Sequence, residues 1–317
     1  MQATHWSWLL ALAFAMANSG IAYGQDETKP DSAKRRIILI AGPKSHGPVG
    51  NGMHDYGWSV CLLRVMLEHS NIADQITVEH FLDGWPKQAA AVDHADTLMI
   101  VSDGRDGDKF SEALHLESDE RVRDVDRLLK RGCGLITFHF STFAPEKYAD
   151  KVLDWSGGYF QWETNGRKQW YSNMKILEAE VQVLASGHPV CRAVESFKMR
   201  DEFYFDLRFK NHDAAVTPIW AVPALMGREP DGNVVAWVRE RSGGGRSFST
   251  TCGHFYDNWE HAQFRTLFLN ALAWTAHVEV PPGGVVARFY THDEIRAALG
   301  EKQVPETPNP SGPVKKN

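Results

Sequence analysis

The sequence lacks any long run of basic residues, and its formal net charge is −6. Proteins that bind nucleic acid electrostatically present a basic patch or stripe, so the composition argues against a nucleic-acid partner. The sequence also lacks a CxxC pair, and its four cysteines lie far apart, at Cys61, Cys133, Cys191 and Cys252. Their spacing leaves open one or two disulfides as well as small buried thiols.

A hydrophobic run long enough to cross a membrane is missing as well. The apolar run at residues 6–17 is too short for a transmembrane helix, so no transmembrane anchor is expected. Residues 1–24 contain no Lys, Arg, Asp or Glu, and Ala22, Tyr23 and Gly24 fit a small-x-small cleavage motif. We therefore predict a signal peptide at residues 1–24, a linker at residues 25–35, and export of the mature chain to the periplasm or the medium.

The mature protein is expected to begin near Gln25, because the small-x-small motif ends at Gly24. N-terminal sequencing of the exported protein measures this directly. A chain that still begins with Met1 would show that residues 1–24 are not a cleaved signal peptide.

Motifs for covalent catalysis are also missing. Ser141 lacks the G-x-S-x-G frame that presents a serine nucleophile after a strand. Cys133 stands at the entry of the predicted strand that ends at His139, roughly 20 Å away at the usual rise per strand residue. A thiol at the opposite edge of the sheet could not share a site with His139, so a covalent mechanism is disfavoured.

What the sequence does contain is a regular alternation of strand and helix patterns. Continuous apolar runs at residues 36–41, 97–102 and 134–138 are typical of strands that are covered on both faces. A further strand is predicted at residues 76–81, and helices are predicted from apolar spacing at residues 58–68 and 118–131. The alternation predicts an α/β fold with a doubly wound, mostly parallel sheet. In such sheets, ligands bind outside the carboxyl ends of the strands.

The second half of the chain is richer in strand patterns. Residues 175–183 alternate apolar and polar side chains, which favours an edge strand, and the glycine-rich segment 242–245 predicts a hairpin. The last long helix is predicted at residues 259–276. Thr291 and Glu294 form a capping-box pattern for a C-terminal helix within residues 287–300. Proline and lysine dominate residues 301–317, which predicts a disordered tail.

Four histidines fall at predicted strand ends or in the loop after the first strand: His46, His54, His139 and His254. The carboxyl ends of parallel strands meet at one edge of a sheet, so these rings are expected to line one cleft. There they could transfer protons or bind a divalent metal ion, although each ring alone also fits a structural histidine. No HExxH or HxH spacing is present, so the pattern does not identify a metal.

Acidic and aromatic candidates accompany these histidines. Asp201 and Glu202 are adjacent on a predicted strand and point to opposite faces, so only one of them can enter a given cleft. Asp103 follows a predicted strand and is either a turn residue or part of the site. Trp259 could stack on a sugar ring or begin the core face of its helix. The eleven tryptophans of the chain permit a carbohydrate ligand without requiring one.

Short motifs occur in a fixed order along the chain: AGPKSHG at 41–47, DGWP at 83–86, GLITFH at 134–139, DEFY at 201–204, VAWVRE at 235–240, GH at 253–254 and LNA at 269–271. This ordered set resembles the ThuA-like (trehalose utilisation) family over residues 36–286. The resemblance implies a flavodoxin-like fold of the class I glutamine amidotransferase type.

The resemblance also implies a link to disaccharide and keto-sugar metabolism. The amidotransferase cysteine is replaced in this family, and His139 stands at the equivalent strand end, so glutaminase activity is not implied. Some relatives have a histidine at the position of Tyr256. If that position binds a metal in them, a metal site in this chain lacks one imidazole.

The residues and the resemblance together predict an exported enzyme of carbohydrate metabolism. Its expected reaction is isomerisation, elimination or hydrolysis of a keto-sugar by histidine acid/base catalysis, with or without a divalent metal ion. The candidates are His139, His254 and Glu202 for catalysis; His46, Asp103, Tyr204 and Trp259 for substrate binding; and His46, His54, His139 and His254 for a metal. The alternative is a non-catalytic carbohydrate-binding protein on the same fold, and a homo-oligomer is open in both cases.

Overall fold

The computed structural model describes residues 34–103, 113–210, 213–228 and 231–306 of the chain. The predicted signal peptide, residues 25–33 of the predicted linker and residues 307–317 of the predicted tail lie outside the described residues. Within the described ranges, no helix is long and apolar enough to cross a membrane.

The strands and helices follow one another much as the patterns predict. The strands are β1 (Arg35–Ala41), β2 (Ile76–Phe81), β3 (Thr97–Val101), β4 (Gly134–Phe138), β5 (Gly158–Tyr159), β6 (Glu163–Thr164), β7 (Arg167–Lys168), β8 (Asn173–Val183), β9 (Phe197–Phe205), β10 (Arg208–Phe209), β11 (Val216–Ala221), β12 (Val234–Glu240) and β13 (Arg246–Thr250). The α-helices are α1 (Tyr56–Glu68), α2 (Asp119–Lys130), α3 (Ala149–Ser156), α4 (Ala262–Thr275) and α5 (His292–Leu299).

The large sheet has the strand order β2-β1-β3-β4-β13-β12-β11-β8-β9. Strands β2, β1, β3, β4 and β13 run parallel to one another, and β12, β11, β8 and β9 extend the sheet in antiparallel pairs. The parallel part has the flavodoxin-like order, in which the ligand site lies where the strand order reverses, between β1 and β3. The predicted α/β class, with a doubly wound flavodoxin-like sheet and a β-rich second half, is confirmed.

Strand β1 shows why the parallel part forms. Ile37 and Leu39 pack in an apolar cluster with residues of α1 and α4, whereas Ile38 and Ile40 pack in a second cluster with residues of α2 and α3. All four side chains are fully buried. Helices therefore cover both faces of β1, and this is why its sequence is a continuous apolar run.

The position of β8 corrects one prediction. Strand β8 pairs with β9 along most of its length and with β11 at Gln182 and Val183, so β9 and not β8 ends the sheet. Alternating side chains show that one face of a strand is exposed to solvent, but they do not reveal how many neighbours the strand has.

The C-terminal elements are also shifted from their predicted bounds. Helix α4 begins at Ala262, because His261 has extended backbone angles (φ −73°, ψ 118°) and follows a 3-10 turn at Tyr256–Glu260. Helix α5 has the predicted capping box: the Thr291 hydroxyl oxygen accepts from the Glu294 N–H, and the Glu294 carboxylate accepts from the Thr291 N–H.

The chain remains folded past the predicted start of the tail. The His80 ring donates to the carbonyl oxygen of Gln303 at 2.8 Å, and Val304 is buried. The prediction of disorder is therefore wrong for residues 301–306, because their partners are distant in sequence and composition does not reveal them.

All four cysteines are buried and free. Of the alternatives that their spacing left open, the structure therefore shows small buried thiols rather than disulfides.

Candidate metal and active site

Three histidine rings meet at the carboxyl edge of the parallel strands. His54 lies in the loop after β1, His139 directly follows β4, and His254 follows β13. The Nε2 atoms of His54 and His139 are 3.0 Å apart. The Nδ1 atom of His254 lies 2.9 Å from the Nε2 atom of His54 and 3.3 Å from that of His139. All three side chains are buried.

Glu202 of β9 brings a carboxylate to the same point. Its Oε2 atom lies 3.2 Å from Nδ1 of His254 and 3.6 Å from Nε2 of His139. Burial by itself raises the pKa of Glu202, but the adjacent His139 and His254 rings outweigh burial and hold the pKa well below its usual range. Glu202 is therefore a carboxylate at neutral pH. We call His54, His139, His254 and Glu202 the histidine centre.

The backbone is strained at two of these histidines. His54 has a φ of 46° and His139 a φ of 50°. The left-handed region costs roughly 1 kcal/mol for residues other than glycine. Such strain persists only where the surrounding structure enforces it, and it is common at functional sites. Here it turns both rings toward the histidine centre.

Hydrogen-bond partners assign the protons of His54 and His139. The Nδ1 atom of His139 lies 2.6 Å from the carbonyl oxygen of Thr251, which can only accept, so Nδ1 carries the proton. The Tyr56 hydroxyl donates to Asp103, so Nδ1 of His54, at 2.6 Å from that hydroxyl oxygen, donates to it. In the neutral rings, the Nε2 atoms of His54 and His139 therefore both present lone pairs.

Two lone pairs at 3.0 Å repel each other, and the Glu202 carboxylate adds negative charge beside them. A divalent cation held between these atoms would relieve the repulsion, and the Tyr204 hydroxyl, 2.7 Å from Nε2 of His139, can donate to that lone pair when no cation is bound. Zinc ligands at about 2.1 Å from the metal lie about 3.0–3.4 Å from one another in octahedral or tetrahedral geometry. The observed nitrogen separations of 2.9, 3.0 and 3.3 Å match this spacing. Because imidazole suits transition metals rather than Mg²⁺ or Ca²⁺, the centre fits a divalent transition metal.

His46 lies beside the centre, with its ring centroid 5.8 Å from that of His254. The ring centroids of His46 and His54 are 4.0 Å apart, and Nδ1 of His46 is 2.8 Å from the Ser45 hydroxyl. His46 groups with His54 and Asp103, whereas Glu202 groups with the other three histidines. The structure therefore groups Glu202, rather than His46, with His54, His139 and His254, and His46 is half-buried and the most exposed of the four histidine rings.

Two predicted substrate-binding residues face the protein interior. Tyr204 is fully buried, its ring stacks on His139 with centroids 4.4 Å apart, and its hydroxyl lies 2.7 Å from Nε2 of His139. Trp259 is 1% exposed, stacks on Phe138, and donates from Nε1 to the Ser59 hydroxyl. Tyr204 therefore supports His139, and Trp259 is a core residue. Asp103 does remain at the site edge, at 3.3 Å from Nδ1 of His54.

One buried carboxylate holds two members of the centre in place. Asp201 accepts from the backbone N–H groups of Gly253, His254 and Glu202 at 2.6, 3.0 and 2.9 Å. Burial raises the pKa of Asp201 to about 7, and the N–H groups oppose this rise. Asp201 and Glu202 thus have separate tasks on opposite faces of β9, as the alternation along a strand predicts.

The glycine-rich loop after β1 is held by an internal ion pair. Lys44 Nζ contacts Oδ1 of Asp55 at 2.8 Å and Oδ1 of Asn51 at 2.7 Å. The Asp55 carboxylate also accepts from the N–H groups of Gly50 and Gly52. Asp55 is buried, so these bonds fix the path of the loop and hence the direction of His54.

Comparison with known proteins identifies the family. A model of the ThuA family, described as trehalose utilisation, matches residues 66–275. The chain belongs to the ThuA family. This family is linked to trehalose utilisation, which is consistent with a role in carbohydrate metabolism. No curated protein matches the sequence.

Solved structures of ThuA-like proteins share the fold. One from Parabacteroides merdae has 14% sequence identity and a TM-score of 0.52, over 80% of this chain and 98% of its own. Another, from Bacteroides uniformis, has 12% identity and a TM-score of 0.52, over 76% of this chain and 91% of its own. At these identities, the likeness shows the fold alone.

Sequence reasoning missed several residues that shape the site of this ThuA protein. Tyr56 was not predicted as a site residue, because its role depends on Asp103, which is distant in sequence. Asp201 was weighed as a candidate acid, but its contacts with the backbone at Gly253 and His254 were not predicted. Tyr256 packs against His292 with ring centroids 5.0 Å apart. The three histidines of the centre meet without a histidine at position 256.

The metal-free protein is expected to lose stability as the pH falls below about 6.5. Burial is the main cause that lowers the pKa of both His54 and His139 in the folded state. The unfolded chain therefore takes up protons first, near pH 6.5, so this stability is complete above that pH and is lost below it. Each histidine contributes up to about 1.4 kcal/mol per pH unit.

Denaturant unfolding of chelator-treated protein at pH 7.5, 6.5 and 5.5 measures this slope. The matched control is the double variant His54→Asn with His139→Asn, which keeps the other buried histidines. Its slope should be shallower by about 2–3 kcal/mol per pH unit. Equal slopes would mean that these two rings do not resist protonation.

Proposed function

We propose that this ThuA protein is an exported enzyme that isomerises, eliminates or hydrolyses a keto-sugar at the histidine centre, with a divalent metal ion held by His54, His139, His254 and Glu202. The observation that carries the proposal is the contact of two Nε2 lone pairs at 3.0 Å beside a carboxylate. The family description, trehalose utilisation, supports a sugar substrate. Export rests on the pattern of residues 1–24.

The chemistry follows from the substrate class. A keto-sugar has acidic protons on the carbon next to its carbonyl group. A divalent metal ion, when bound, supplies a Lewis acid that polarises a sugar oxygen. His46 is half-buried and next to His54, so it is placed to move a proton to or from the sugar, a task for which imidazole is the most common side chain. Tyr56 and Asp103 hold His54 in the tautomer that directs Nε2 to the centre.

The sugar-binding alternative loses its main support. It depended on Trp259 as an exposed stacking platform, and Trp259 is 1% exposed and packed against Phe138. Two further features favour catalysis over binding alone. Strained backbone, as at His54 and His139, is common at functional sites. A sugar-binding module also has little need for three imidazoles that converge on one point.

Metal content and turnover test the proposal together. The full chain should bind one divalent transition-metal ion, and turnover of a 3-keto-glycoside should stop on treatment with a chelator and return on addition of the metal. His254→Ala should lose both properties. The matched control is His188→Ala, which removes a histidine that packs against Trp274 and lies outside the centre.

Two results would oppose the proposal. Full turnover by metal-free protein would show that the reaction does not need a metal ion. If the metal-loaded protein neither turned over nor bound any of the keto-sugars tested, the proposed sugar-processing function would be wrong.

A further inference from the structure

The Tyr204 hydroxyl faces an atom that the proposed metal ion would bind. It lies 2.7 Å from Nε2 of His139, which presents a lone pair because the proton of that ring is on Nδ1. In the metal-free protein the hydroxyl therefore donates to Nε2. A metal ion that binds Nε2 takes over this lone pair. The hydroxyl then needs another acceptor, because a buried donor without a partner is costly.

The packing of the Tyr204 ring holds its hydroxyl oxygen at the centre. The side chain is fully buried. The ring stacks on His139 with centroids 4.4 Å apart, and it packs edge-on against Phe143 and Phe160 with centroids at 5.3 and 5.2 Å. Only the hydroxyl hydrogen is free to turn about the C–O bond. A new acceptor must therefore lie within reach of the oxygen in its present position.

Glu202 provides such an acceptor. Residues 202 and 204 are two positions apart on β9, so both side chains stand on the same face of the strand. The Glu202 carboxylate lies close enough to the Tyr204 hydroxyl to accept a hydrogen bond from it. Its shortest contacts with the imidazoles are made by Oε2, at 3.6 Å from His139 and 3.2 Å from His254. Oε2 thus faces the metal position, and Oε1 is left for a donor.

The number of Glu202 oxygens that bind the metal decides whether the centre can accept a further ligand. Catalytic zinc sites keep a coordination position open for water or substrate. Three imidazoles and one carboxylate oxygen are four ligands, whereas a carboxylate that binds through both oxygens also fills the fifth position. A hydrogen bond to Oε1 holds that oxygen away from the metal and so leaves the fifth position open.

We propose that Tyr204 is a positioning residue that turns its hydroxyl hydrogen from Nε2 of His139 to Oε1 of Glu202 when the metal binds, and thereby keeps Glu202 a one-oxygen ligand. Residues that support a metal ligand without touching the metal commonly change metal affinity by about 10- to 100-fold. The inference rests on the metal ion of the proposed function and not on the identity of the substrate.

Metal binding to the full chain tests the inference, with zinc, cobalt(II) and azide as probes. Tyr204→Phe removes the hydroxyl, keeps the ring, and should weaken zinc binding by about tenfold. Azide should change the visible spectrum of cobalt-loaded wild-type protein by taking the open position, and Tyr204→Phe should lose this response. The matched control is Tyr148→Phe, which removes a buried hydroxyl that donates to Asp119 at 2.6 Å outside the centre. It should change neither result.

A crystal structure of the zinc-loaded wild-type protein tests the same claim without a variant. It should show the Tyr204 hydroxyl oxygen about 2.8 Å from Oε1 of Glu202, and only Oε2 on the zinc. Zinc bound by both oxygens of Glu202 would overturn the inference.

Two results from the variant would also overturn it. Zinc binding by Tyr204→Phe as tight as that of wild-type protein, or tighter, would mean that the hydroxyl only competes with the metal for Nε2. An unchanged azide response would mean that Glu202 does not fill the open position when the hydroxyl is missing. If wild-type protein binds zinc and any of these results is found, the proposed function stands and only this inference is wrong. If wild-type protein binds no zinc, the metal of the proposed function and this inference are both wrong.

Discussion

Replacement of His139 by alanine is expected to lower activity by roughly a hundredfold or more and to remove the bound metal, while the protein still folds. The ring supplies one of the three nitrogens of the histidine centre, at 3.0 and 3.3 Å from the other two. Its loss also leaves the buried Thr251 carbonyl oxygen without the 2.6 Å bond from Nδ1, which costs about 1–3 kcal/mol. Turnover, metal content and thermal melting of one variant measure all three effects.

His139→Gly is the matched control for the backbone. His139 has a φ of 50°, which alanine tolerates poorly and glycine tolerates well. The glycine variant should therefore be as inactive as the alanine variant but more stable by about 1 kcal/mol. A large fall in melting temperature in both variants, with metal and activity retained, would mean that the ring is only structural.

Replacement of Gly253 by alanine is expected to destabilise the protein by about 3–6 kcal/mol. Gly253 has a φ of 112°, which residues with a Cβ atom avoid, and a Cβ atom there would lie 2.0 Å from Cζ of Phe138. Phe138 cannot move aside, because it is packed between Trp259 and Phe268. The clash would also displace the N–H groups of Gly253 and His254 that bind Asp201, so the metal should be lost as well.

Denaturant unfolding measures this change, and Gly244→Ala is its control. Gly244 has a similarly positive φ of 84°, but nothing lies within 4 Å of the position of its Cβ atom. Its replacement should cost only the backbone strain, about 1 kcal/mol. If the two variants are equally stable, the packing of Phe138 against Gly253 does not hold the end of β13.

The parallel half of the fold follows from local patterns. The continuous apolar run of β1 predicts a strand that is covered on both faces, and alternate residues of β1 do pack against two helical layers. The histidines could be placed because parallel strands bring their carboxyl ends to one edge, whatever the distance along the chain. His54 and His254 are 200 residues apart and still in contact.

What the sequence did not reveal depends on pairings distant in the chain. Trp259 looks the same in sequence whether its ring faces a sugar or Phe138, and only the packing of the 3-10 turn at Tyr256–Glu260 against β4 decides between them. Glu202 was predicted to be the catalytic carboxylate, but alternation only separates its face from that of Asp201, and the structure is what shows that Glu202 meets the histidines. Residues 301–306 read as a polar tail because α1 and β2, their partners, contribute nothing to local composition.

The X-ray absorption spectrum of the zinc-loaded full chain tests the central claim most directly. We predict one zinc ion per chain with a shell of three imidazole nitrogens and a carboxylate oxygen at about 2.0–2.2 Å. The same spectrum from His139→Ala should lose one imidazole, or the zinc altogether. A shell of oxygens only, a shell that contains cysteine sulfur, or no bound zinc at neutral pH would contradict a metal site at His54, His139, His254 and Glu202.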